Sequence, residues 1–375
     1  MKIERRSLAT FHLGQSPGKK ILIVLKHVLN LVTGATGLLG GHIAEKLVER
    51  GERVRVLVRP ESDTSFLDTL GCEKVVGDLT DRDACLRATE GVGIVYHCAA
   101  KVGDWGTWSE FQAGCVDATR NIAAASARSS VERFVHISST SAYGHPADRG
   151  GAIEETEPLG QNLWFWDPYT RSKVESERVV WGLEREAGLR LTVIRPSWLY
   201  GERDRTTLAR LVERLEKGIV PLFGKGDNPI SAVYAGNVAD AAILAACHPS
   251  AIGEAFNITD QGPITQREFI NLFARAANAP SVSKIRPYAA IFAGATVLET
   301  IARLTKSTRP PLVTRYAAWL MGRSISYSTA KARNTLGWFP ALGYQESIER
   351  SVRWYLERRD RERPIVAALA EPARA

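Results

Sequence analysis

The chain has 375 residues, 45% of them hydrophobic and 24% charged, with a formal net charge of +8. That length supports a substantial core and two lobes, because single cores stop growing near roughly 250–300 residues. Its basic residues are scattered and alternate with acids, as in Glu357-Arg358-Arg359-Asp360, which argues against nucleic acid and suits a phosphate-bearing ligand or an anionic surface.

Five cysteines (Cys72, Cys85, Cys98, Cys115, Cys247) form no CxxC pair, and no two histidines stand in an HxxxH pattern. We therefore expect reduced thiols, a cytoplasmic protein and no metal. No stretch of roughly 18 uncharged apolar residues exists, so no transmembrane helix is expected.

Residues 1–27 are expected to form a flexible extension or to reflect an upstream start codon. Val28–Val32 reads as a strand running into Thr33-Gly34-Ala35-Thr36-Gly37-Leu38-Leu39-Gly40. Glycines three apart allow a tight turn and a close backbone approach to a pyrophosphate. A helix from about Leu38 to Arg50 would then supply free N–H groups and the positive end of its dipole.

Val54–Val58 is the next strand. The place where an acid would grip ribose hydroxyls holds Val58, and Arg59-Pro60 follows. A guanidinium can pair with a 2′-phosphate, which favours NADP over NAD. Asp78 in Gly77-Asp78-Leu79 is placed to accept from an adenine amine or to close a turn.

Strands at Gly93–His97, Phe134–Ile137 and Leu191–Arg195 alternate with helices at about Val116–Arg128 and Tyr169–Ala187. This alternation predicts right-handed crossovers and a mainly parallel, doubly wound sheet over 28–200. Residues 230–258 are expected to return to it. Segments 201–229 and 259–358 form a smaller helical substrate lobe, and 359–375 a disordered tail.

Tyr169 and Lys173 lie four apart, on one face of a helix. A free tyrosine titrates near pH ~10, too high for a good neutral base. An ammonium beside it favours tyrosinate. Ser139, after the Phe134–Ile137 strand, would hold a substrate oxygen, with Ser138 and Thr140 as competitors. Trp105, Trp108, Trp164, Phe165, Trp166 and Trp198 supply flat apolar surface, for a bulky substrate or for the core.

Residues 288–304 begin with the apolar run Tyr288–Leu298 and have Lys284, Arg286, Arg303, Lys306 and Arg309 near their ends. Two readings stand: a buried core helix, or a helix making peripheral contact with a membrane.

Taken together, these motifs resemble the extended short-chain dehydrogenase/reductase family, over roughly Val28 to Leu356. The match includes Tyr96-His97-Cys98-Ala99-Ala100, Pro168-Tyr169-Thr170-Arg171-Ser172-Lys173, Ile194-Arg195-Pro196 and Leu336-Gly337-Trp338. It implies a Rossmann domain and Ser139, Tyr169 and Lys173 as the catalytic set. It also implies that Gly34, Thr36, Gly37, Leu38, Leu39, Arg59, Asp78, Leu79, Ala99, Ala100 and Pro196 hold NADP or NAD, and that the protein is a homodimer.

Family dehydratases carry an acidic pair where this chain has Ser141-Ala142, and Cys115 stands where asparagine is frequent. The nearest flavour is the 3β-hydroxysteroid/sterol dehydrogenase and dihydroflavonol-reductase branch, with Trp105, Trp108, Thr140, Trp166 and Trp198 as substrate residues. The expected activity is an alcohol–ketone interconversion on an apolar, steroid- or terpenoid-like molecule. A sugar or sugar-nucleotide epimerase and a non-catalytic NADP-binding regulator are the alternatives.

Overall fold

A computed structural model describes residues 28–370 apart from 149, 205–206, 261 and 263, with backbone alone for 362–370. The expected extension at 1–27 lies outside the described residues. The centre is a seven-stranded sheet: β1 (Leu29–Thr33), β2 (Arg53–Val58), β3 (Glu73–Val76), β4 (Ile94–His97), β5 (Arg133–Ile137), β6 (Leu191–Pro196) and β7 (Glu254–Ile258). Its order is β7-β6-β5-β4-β1-β2-β3, and every neighbouring pair is parallel.

Parallel strands with helices on both faces read as continuous apolar runs, as β1 does with all five residues buried. One face is sealed by helices Leu38–Glu49 and Ala235–Cys247, whose Ile43, Leu47, Val238 and Ala242 pack on Val32, Val56 and Tyr96. On the other, Ile122, Val180 and Cys85 cover Leu31, Val95 and Val193. The chain reverses its direction of growth between β1 and β4, and Thr33 Oγ1 meets His97 Nδ1 at 2.8 Å across that junction. Open α/β sheets bind ligands at the carboxyl ends flanking such a reversal.

A third cluster forms the smaller lobe, with Tyr200, Val212, Ile230, Phe269, Phe273, Ile348 and Val352 among its buried residues. Three sequence expectations are corrected. The helix before Arg128 begins at Trp108 and passes through a π-helical segment, Gln112–Asp117. A π segment widens the turn by one residue, which a 3.6-residue period does not reveal. The final helix, Tyr344–Ala370, continues beyond the expected start of the tail at 359. Its Glu/Arg-rich sequence has good helix propensity, and Arg359 pairs with Glu216 at 2.8 Å. Residues 371–375 lie outside the described residues.

The third correction concerns Tyr288–Leu304. This helix is not buried: only Ala295, Glu299 and Ala302 are, while Val297, Ile301 and Leu304 stand 57%, 53% and 79% exposed. It lies on the lobe's outer surface, where one narrow stripe suffices for packing.

Candidate active site

The glycine turn is built as its sequence demands. Gly34 has φ +69°, and a Cβ there would lie 2.8 Å from the Ala99 nitrogen in the loop after β4. At Gly40 a Cβ would lie 2.3 Å from the Gly34 carbonyl oxygen, so glycine seats the helix on its own turn. Gly37 caps Leu38–Glu49 without a side-chain bond, leaving the Leu38 and Leu39 N–H groups as donors at a positive dipole end. Thr36 sits in this turn, and the Ala99 N–H donates to Thr33 Oγ1 at 3.3 Å. A backbone cradle that any Cβ would fill, opening on helix N–H groups, fits a dinucleotide pyrophosphate.

The groups around it are more ordinary. Arg59 is exposed just after β2, with Nε 3.3 Å from Glu61. One Asp78 oxygen accepts from the Thr80 N–H and hydroxyl at 2.8 and 2.7 Å, which holds that carboxyl below its usual range. The Leu79 carbonyl accepts from Asn121 Nδ2 at 2.9 Å, and Pro196 closes β6.

Tyr169 and Lys173 occupy the first two turns of helix Pro168–Ala187. Asp167 caps this helix, one carboxylate oxygen accepting from the Thr170 N–H at 3.1 Å. The other faces His145 Nε2 at 2.9 Å, and both side chains are almost fully buried. His145 Nδ1 meets the Asn162 carbonyl at 3.2 Å, and the ring stacks on Trp164 at 3.9 Å. The start of the tyrosine helix is thereby fixed.

Lys173 acts electrostatically on the ends of β4 and β5. Burial, reinforced by its charge, pushes His136 down to about 3. Burial, then His136 and then Lys173, also holds His97 well below the usual imidazole range. His97 is braced between Thr33 and Thr119, whereas both ring nitrogens of His136 lack a partner among the described residues.

Ser139 donates to Ser141 Oγ at 3.1 Å and accepts from the Ser141 N–H at 3.1 Å. Ser141 Oγ meets the Tyr316 hydroxyl at 2.7 Å, and the Tyr316 ring abuts Tyr169 edge-on at 5.1 Å. Tyr316 therefore bridges Ser139 to Tyr169. Burial, then the neighbouring Tyr169, holds its phenol well above the usual range. The competitors lie elsewhere: Ser138 donates to Glu177 at 2.5 Å, and Thr140 lines a cavity with Tyr327.

The expected substrate residues divide. Thr140 and Trp198 line one cavity of ≈ 20 Å³ together with Trp319 and Tyr327. Trp166 joins an aromatic group with Trp164 (4.6 Å), itself 5.9 Å from Trp319, and Arg315 stacks on Trp166 at 3.8 Å. Trp105 and Trp108 are not brought into that group. Trp105 donates to the Ser307 carbonyl at 3.0 Å, and Trp108 lies under the Arg171 guanidinium at 3.8 Å. Phe165 points away, 99% exposed.

Sequence reasoning missed Tyr316, Trp319, Tyr327 and the His145–Asp167 pair. The aspartate just before Pro168 was a readable capping signal. The three aromatics of the lobe arrive only by long-range packing.

The model of a family described as the NAD dependent epimerase/dehydratase family matches residues 30–259. The 2-alkyl-3-oxoalkanoate reductase of Stenotrophomonas maltophilia (strain K279a) is 32% identical over 327 residues, covering 85% of this chain and 97% of that protein. The 3 beta-hydroxysteroid dehydrogenase/Delta 5→4-isomerase of Mycobacterium tuberculosis (strain ATCC 25618 / H37Rv) is 31% identical over 342 residues, covering 87% and 90%. The crystal structure of gox2253 superposes with a TM-score of 0.74 at 28% identity, covering 89% of this chain and 99% of that one.

Proposed function

The chain belongs to the NAD dependent epimerase/dehydratase family and is an oxidoreductase of that family, and from this premise we propose that it interconverts a secondary alcohol and a ketone on a bulky apolar molecule. The carrying observation is the placement of Tyr169 and Lys173 on one face of a capped helix, with Ser139 joined to the Tyr169 ring through Ser141 and Tyr316.

A bound nicotinamide supplies the acceptor or donor of the hydride. In the oxidation direction Tyr169 takes the hydroxyl proton onto its phenolic oxygen, and Ser139 donates a hydrogen bond to the substrate oxygen. Lys173 stands one turn further along the same face of that helix. Gly34, Thr36, Gly37, Leu38 and Leu39 would hold the pyrophosphate. Arg59, exposed and beside Glu61, favours NADP over NAD by pairing with a 2′-phosphate.

The aromatic group of Trp164, Trp166, Trp319 and Tyr316 supports a steroid-, terpenoid- or long acyl-like substrate. Homodimerisation belongs to the same reading, and light scattering tests it.

The functional test follows reduced-nicotinamide absorbance with NADP⁺ or NAD⁺ and hydroxysteroids, and in reverse with 2-alkyl-3-oxoalkanoates. Turnover with an apolar member of the panel is expected. A nucleotide sugar changed in configuration, with no net nicotinamide reduced, would replace this reading by the epimerase.

A further inference from the structure

The outer face of helix Tyr288–Leu304 carries an apolar stripe with no partner among the described residues: Ala290, Ala293, Val297, Ile301 and Leu304, at intervals of three or four, are all exposed. Leu298 is 39% exposed beside it. At 1.5 Å per residue the stripe runs about 21 Å. Two neighbouring segments extend it. Leu312, 63% exposed, follows the helix closely. Phe165, 99% exposed, precedes Trp166, whose carbonyl accepts from Arg303 at 3.1 Å.

The charge around this face is of one sign. Lys284, Arg286, Arg303, Lys306 and Arg309 are all exposed. The one carboxylate between 284 and 312 is Glu299, buried and held by Arg315 at 2.7 Å. Among the described residues none of the five cations is ion-paired. An apolar stripe rimmed by cations is complementary to a surface with anionic headgroups over hydrocarbon.

We propose that this helix docks the protein on an anionic lipid bilayer, lying in the interface with Val297, Ile301, Leu304, Leu312 and Phe165 inserted and the cations at headgroup level. Among the described residues no helix is long and apolar enough to cross the membrane, so the contact is peripheral. The buried face of the helix reaches toward the active site. Phe292 packs edge-on against Trp164 at 6.1 Å, and Glu299 holds Arg315, the residue before Tyr316. Docking stands on the helix alone. A further consequence, delivery of an apolar substrate from the bilayer past this helix, rests on the substrate reading above.

The experiment is vesicle co-sedimentation of the purified full chain, which needs no turnover and so separates the two claims. Vesicles of phosphatidylcholine are compared with vesicles containing phosphatidylglycerol. Binding to the anionic vesicles, reversed by high salt, is expected. Ile301→Ser with Leu304→Ser should weaken it at least about tenfold, because two aliphatic side chains no longer insert. Lys306→Gln and Arg309→Gln should each weaken it about fivefold. All four positions are exposed, so unchanged circular dichroism is expected and confirms that the variants fold.

No binding to anionic vesicles overturns the proposal, as does equal binding to neutral ones. A dimer that Ile301→Ser with Leu304→Ser converts to monomer, with no vesicle binding by the wild type, overturns it in favour of a contact between copies of the chain.

Discussion

Replacing Glu177 by alanine should destabilise the protein by about 4 kcal/mol. Glu177 is 0% exposed and Arg195 4%. The carboxylate accepts from Arg195 Nη2 at 2.5 Å, Arg195 Nε at 3.1 Å, Ser138 Oγ at 2.5 Å and Trp181 Nε1 at 3.0 Å. Its removal leaves a buried guanidinium whose remaining hydrogen bonds among the described residues go to the Tyr143 hydroxyl at 2.8 Å and the Glu155 carbonyl at 3.4 Å. Removing one partner of a buried ion pair typically costs about 3–5 kcal/mol, out of a total stability of about 5–15 kcal/mol.

The assay is urea unfolding followed by tryptophan fluorescence and circular dichroism, with Glu177→Gln as the milder comparison. Glu177→Met with Arg195→Met should recover much of the loss, because no charge is then stranded. A loss below about 1 kcal/mol for Glu177→Ala would refute the reasoning, since it would mean that water or a relaxed backbone satisfies Arg195.

Two further predictions rest on the glycine turn and on the buried His136. Gly34→Ala places a methyl 2.8 Å from the Ala99 nitrogen at φ +69°, so nicotinamide binding by fluorescence should weaken at least about tenfold. Wild-type affinity in that variant would show that the turn is not the cradle. His136 titrates near 3 in the fold against roughly 6.5 unfolded, so its neutral form is the native one. Its stabilisation is complete above the unfolded value and is lost as pH falls from about 6.5 toward 3. Between pH 7 and pH 5 it should account for about 2 kcal/mol of lost stability. His136→Leu removes an imidazole whose nitrogens have no hydrogen-bond partner among the described residues and should flatten that slope; an unchanged slope would assign the loss to other groups.

The sheet was legible where a strand carries its own signature, whereas β7 was expected only within the returning segment 230–258. β1 runs into a glycine turn, β4 into Cys98-Ala99-Ala100 and β5 into Ser138-Ser139, small or hydroxylated residues beyond the sheet's carboxyl edge. Tyr169 and Lys173 were legible because four-residue spacing is geometry once a helix is granted. What Ser139 touches was not. Its link to Tyr169 runs through Tyr316, 147 positions further along the chain than Tyr169, and no local pattern encodes which helix of the lobe packs there. Trp105 and Trp108 show the limit of composition: tryptophans near a site were read as substrate walls, yet these two lie against Arg303 and Arg171. Of the two readings of 288–304, the buried core helix fails for a related reason. Hydropathy reports how apolar a segment is, not which solvent or surface its outer face meets.

The most direct test of the account compares wild type with Tyr169→Phe. Ketone-dependent consumption of reduced nicotinamide and nicotinamide affinity are measured on the same preparations. The variant should lose a factor of about 10²–10⁴ in turnover and keep its affinity within about threefold, since only the phenolic oxygen is removed. Full turnover by Tyr169→Phe, with cofactor binding intact, would contradict the assignment of Tyr169 as the acid and base.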